Sequence, residues 1–65
     1  MAEVNTDAIQ KAFAELTAQL EDAVLIAAQG QGVENIREAR RYTKRLSAAV
    51  DRIGQRLSRL ERRLK

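Results

Sequence analysis

Apolar residues recur along this chain at alternating steps of three and four, the spacing that places side chains on one stripe of a helix. A first series is Ile9, Phe13, Leu16, Leu20, Ala23 and Ala27. A second runs Ile36, Ala39, Thr43, Leu46, Val50, Ile53, Leu57, Leu60 and Leu64 without a miss. The second keeps a 3.5-residue repeat over four heptads, which is the pattern of coiled-coil packing. Between the two lies Gln29-Gly30-Gln31-Gly32, and the chain has no proline. The pattern predicts a first helix over about 7–29, a loop at 30–32 and a second helix over about 33–64, in a single domain spanning 1–65.

The helix ends carry their own signals. Asn5, Thr6 and Asp7 can each cap the first helix, and Asp7 with Gln10 has the spacing of a capping box. Gly30 suits a left-handed residue closing that helix, and Glu34 suits the first turn of the next, where the helix dipole favours an acid. Folding back about Gln31 sets Gln55 beside Asp7. Arg56 to Lys65 then overhang by roughly 15 Å, with Leu57, Leu60 and Leu64 left to be covered by another chain. If Ile36 is an a position, the small residues Ser47 and Gly54 fall at e and Ala49 at g, which would let a further helix come close. The expected fold is all-α: a two-helix antiparallel hairpin, with coiled-coil heptads in helix 2, that self-associates into a helical bundle. A dimer forming a four-helix bundle is the leading form. Its seam would hold Ile9, Phe13, Leu16, Leu20, Ile36, Leu46, Val50, Ile53, Leu57, Leu60 and Leu64.

Size and composition point the same way. Chains near 65 residues bury only about 60% of their unfolded surface, and usually need a disulfide, a metal or a partner as a staple. Cysteine and histidine are both absent, which leaves association. Without histidine, Ser47 and Ser58 have no activating base, and Glu34 with Glu38 does not make a Glu-x-x-His di-iron pattern. Gly30-Gln31-Gly32 has neither the preceding strand nor the Lys-Ser/Thr of a phosphate loop. The residues point to no enzyme, no cofactor and no metal. The longest apolar run, Ala23 to Ala28, is six residues, far below the roughly 18–20 of a membrane span. Met1-Ala2-Glu3-Val4 lacks the start of a secretory leader. A cytoplasmic protein is expected.

Charge divides the chain. Residues 1–32 hold five acids and one base, a net −4; residues 33–65 hold eleven bases and four acids, a net +7. On the heptad frame Arg37, Arg41, Lys44, Arg45, Arg52, Arg59, Arg62 and Lys65 fall at b, c or f, away from the seam, while Arg40, Arg56 and Arg63 flank it. Pairs such as Arg37/Arg41, Arg41/Arg45 and Arg52/Arg56 put like charges one turn apart, each costing about 0.2–0.5 kcal/mol. Arg37, Arg41, Lys44, Arg45, Arg52, Arg59 and Arg62 therefore read as a face for an anionic partner, against the alternative of a merely solvated exterior. A second feature is Val24-Leu25-Ile26, which makes one turn of helix 1 apolar all round. That turn reads as a docking patch at the loop end, against the alternative of cover by Val33 and Ile36.

In outline the chain resembles the small dimeric RNA-binding hairpin proteins. It also resembles small helical accessory subunits of secretion systems, nucleases and phage particles. No residue motif carries over from either, so neither assigns a binding residue, and fold alone does not fix function. The reading reached from the residues is a non-enzymatic assembly or adaptor protein. It pairs with itself and docks on a larger protein with an acidic surface, through the basic face and the loop-end patch. The alternative is a nucleic-acid-binding regulator using Arg37, Arg41, Lys44, Arg45 and Arg52, with Tyr42 the one aromatic free to stack on a base. A membrane surface ranks last, because interfacial tryptophan and phenylalanine are missing from helix 2.

Overall fold

The structure, a computed structural model, describes residues 5–65. Met1 to Val4, where the reading of no secretory leader was made, lie outside the described residues. Two helices, α1 (Thr6–Gly30) and α2 (Ile36–Leu64), pack against each other along their lengths. Asn5 caps α1, its side-chain oxygen accepting from the Asp7 amide at 2.9 Å. Thr6 and Asp7 therefore lie inside the helix, and Asp7 sits in the first turn, where its charge meets the helix dipole.

The connection departs from the expected three-residue loop. Gly30 remains helical and no glycine has a positive φ. The chain leaves α1 through tightened turns instead: Gln31, Gly32 and Val33 donate to the carbonyls of Ala28, Gln29 and Gly30 at 3.1, 3.1 and 3.3 Å. These i,i+3 bonds satisfy end carbonyls without a left-handed residue. Helix α2 then starts at Ile36 and not at Val33. Asn35 is its cap, accepting from the Glu38 amide at 2.9 Å, so Glu38 and not Glu34 is the first-turn acid. The signal was present as Asn35-x-x-Glu38, a capping-box spacing.

The longer connection shifts the two helices along each other. Arg56, expected to start an overhang, is ion-paired to Glu15, and Leu60 lines a cleft with Ala8 and Ala12. Leu60 is only 4% exposed. The end of α2 thus lies along the start of α1, and the expected overhang is replaced by flush ends.

Contact between the helices uses one stripe of each. On α1 the buried or half-buried positions are Ala8, Ile9, Ala12, Leu16, Gln19, Ala23, Ile26 and Gly30; on α2 they include Ala39, Tyr42, Leu46, Ala49, Ile53, Arg56 and Leu60. Only Leu16, Ala23, Ala49 and Leu60 fall below a tenth exposed among the described residues. The result is a slab of 55 × 16 × 10 Å with a radius of gyration of 15.5 Å, against about 11 Å for a compact chain of this length. No described helix is long and apolar enough to cross a membrane.

Candidate interaction surfaces

Both helices turn the same part of their heptad toward each other, and both leave the neighbouring part uncovered. On α1 the positions one step round from the contact stripe are Phe13, Leu20 and Ala27; on α2 they are Ile36, Thr43, Val50, Leu57 and Leu64, at strict seven-residue intervals. All are exposed, from 45% at Leu57 to 70% at Ile36 among the large ones. Because the helices are antiparallel with equivalent stripes in contact, these flanks lie on one broad side of the slab. Ala27 and Thr43 line a common cleft at the loop end, which ties the two rows together. Stepping seven residues at a time from that pair matches Leu20 with Val50 and Phe13 with Leu57.

The margins of this apolar side are small. Ser47 and Gly54 follow Thr43 and Val50 by four residues, both exposed, and a Cβ built on Gly54 would meet nothing within 4 Å. Thr43 does not oppose burial, since its hydroxyl already donates to the Ala39 carbonyl at 2.7 Å. Thr17 does likewise to Phe13, at 2.9 Å.

The other broad side is polar. Gln19, Asp22, Ala49 and Arg52 line one cleft, and Gln19, Arg52, Gln55, Arg56 and Arg59 another. Arg56 Nη1 to Glu15 Oε1, at 3.2 Å, is the one ion pair among the described residues. Both partners are more than a third exposed, so solvent screening keeps its worth to at most about 0.5 kcal/mol. Gln19 Oε1 and Arg56 Nε are buried with no hydrogen-bond partner in the protein.

Arg37, Arg41, Lys44, Arg45, Arg52, Arg59 and Arg62 are all exposed and enter no ion pair among the described residues. They do not form a single patch. Arg45, Arg52 and Arg59 recur every seventh residue, about 10.5 Å apart, and the last two line the polar clefts. Arg37, Arg41, Lys44 and Arg62 lie on the outer edge of α2. Tyr42, expected to be open to a base, is half-buried against Gly30, with the Arg45 guanidinium 5.7 Å from its ring centroid. Tyr42 falls on the stripe that meets α1 and lines the cleft at the loop end with Ala27, Gly30 and Val33.

The expected seam divides in two. Ile9, Leu16, Leu46, Ile53 and Leu60 lie on the contact between the chain's own two helices, whereas Phe13, Leu20, Ile36, Val50, Leu57 and Leu64 face outward. The expected loop-end patch divides likewise: Val24 and Leu25 are 66% and 57% exposed, while Ile26 is half-buried on the hairpin contact. Gln19 and Arg56 were missed as contact residues because both are polar. Their seven-residue spacing from Ala12, Ile26 and Ala49 was the available signal. No group of three or more metal-ligating side chains occurs among the described residues. Neither protein-family models, nor curated proteins, nor solved structures yield a match to this chain.

Proposed function

We propose that this protein is a non-enzymatic assembly or adaptor module of the cytoplasm. In this reading two hairpins associate through their apolar sides into a four-helix bundle, which presents its basic residues and Val24-Leu25 to a larger protein with an acidic surface. One observation carries it: among the described residues the hairpin has four well-buried side chains and leaves eight large apolar ones exposed, six of them on one side. Isolated apolar residues on a surface are ordinary, but a continuous apolar side on so thin a fold marks a contact surface. With the apolar sides together, the unpaired arginines of both copies remain on the outside, where an anionic surface can reach them.

Two substitutions separate the surfaces. Leu57→Glu places a charge on the apolar side and should turn the associated species into a single chain by light scattering at micromolar concentration. Leu25→Glu should leave the mass unchanged and abolish recovery of the partner from the native host. A compact wild-type chain that melts cooperatively as a monomer would remove the reading.

The uncompensated arginines also support a second reading, a nucleic-acid-binding regulator of the same architecture. Such a protein shifts DNA or RNA on a gel and loses affinity steeply with salt. Tyr42 is half-buried, so in this reading binding rests chiefly on phosphate contacts. No shift at low salt would exclude it.

A further inference from the structure

We infer that two copies pair antiparallel, α1 on α1 and α2 on α2, about a two-fold axis passing beside Leu20 and Val50. The inference rests on the self-association proposed above and specifies its geometry. The exposed surface is 5578 Å², whereas a compact monomer of this mass exposes about 4,200 Å². Removing that excess from each of two copies would bury on the order of 2,800 Å² in total, the range of obligate homodimers.

Volume decides the direction. Along the apolar side the matched pairs are Phe13 with Leu57, then Leu20 with Val50, then Ala27 with Thr43, so the layer on the terminal side of Leu20 and Val50 is bulky and the layer on the loop side is small, with Ile36 beyond the small layer and Leu64 beyond the bulky one. Copies laid with their loops at the same end would stack four large side chains in one layer and four small ones in another, overfilling the first and leaving a void in the second. Reversing one copy sets Phe13 and Leu57 over Ala27 and Thr43 of the other at both ends. It also sets Leu64 over Ile36, and Leu20 and Val50 over themselves.

Charge and shape at the margin of α2 agree. Arg40 lies ten residues before Val50 and Glu61 eleven after it. Reversal about Val50 therefore brings each Arg40 within about one residue rise, 1.5 Å, of the level of Glu61 in the other copy. Ser47 and Gly54, three before and four after, meet in the same way. Two small residues at the crossing let the helices approach closely, which gives Gly54 a use that its own chain does not. With the loops at the same end α2 would face α1 of the other copy, whose corresponding margin, Gln10, Thr17 and Val24, has no charge for Arg40 or Glu61 to meet.

The chain's lack of cysteine makes the test direct. Val50→Cys should oxidise to a disulfide-linked dimer, because the axis puts each copy's residue 50 opposite its equivalent. A second pair of variants tests the same geometry without a new bond. Arg40→Glu and Glu61→Arg should each weaken dimerisation on the order of tenfold by setting like charges together. Mixed one to one, they should form a heterodimer of wild-type strength. A dimer by mass in which Val50→Cys does not cross-link and the mixture gains nothing overturns the antiparallel pairing alone. A monomer at all accessible concentrations overturns the self-association beneath it.

Discussion

Gln19 and Arg56 are the two residues at which the hairpin contact departs from an apolar seam. Each carries a buried polar atom without a protein partner, and such atoms cost about 1–3 kcal/mol. A polar residue within a helix–helix seam trades stability for a defined axial alignment. Gln19 and Arg56 lie in one cleft, close to the Glu15 ion pair, and that arrangement aligns α1 with α2. Gln19→Leu should therefore stabilise the chain by about 1 kcal/mol, seen as a higher melting temperature. A fall in melting temperature would mean that the amide makes bonds that matter more than its desolvation.

At the scale of the helices, the two elements have different tasks. Helix α2 has one sharply defined apolar arc and a heavily charged remainder; α1 has alanines on several sides and few charges. The start of α2 is set by Asn35, whose side chain satisfies the Glu38 amide. In the first turns beyond it Ile36, Arg37 and Arg40 are exposed and only Glu38 and Ala39 are half-buried, so tertiary contact supports this end less than the middle of the helix. Asn35→Ala should cost about 1 kcal/mol and fray this end first. Amide exchange would then rise in residues 36–40 while residues 46–60 keep their protection. Uniform loss along α2 would show that this end opens only with the helix as a whole and that the cap acts on global stability.

Taken as a whole, the described residues form a slab one helix thick, with no interior among them on either side of the helix–helix contact. Little apolar area leaves water when such a slab forms from a single chain, and small domains are marginal even when compact. If stability resides in the association, the melting temperature should rise with protein concentration, as mass action requires for a folded dimer in equilibrium with unfolded chains. A melting temperature independent of concentration over a hundredfold range would place the stability within the single hairpin.

The periodicity alone determined that there are two helices, roughly where they lie, and which residues of each are apolar, because a helix's side-chain directions follow from spacing. It also marked Phe13, Leu20, Val50 and Leu57 as residues that seek cover. Which flank of each stripe meets the other helix was decided only in three dimensions. A chain of two helices offers each one a single neighbour, so Ile9, Leu16, Ile53 and Leu60 are covered while Phe13, Leu20, Val50 and Leu57 are not. The axial offset was equally a tertiary matter. It depends on the length of the connection, and the i,i+3 turns after Gly30 with the Asn35 cap lengthen that connection enough to bring Leu60 against Ala8 and Ala12.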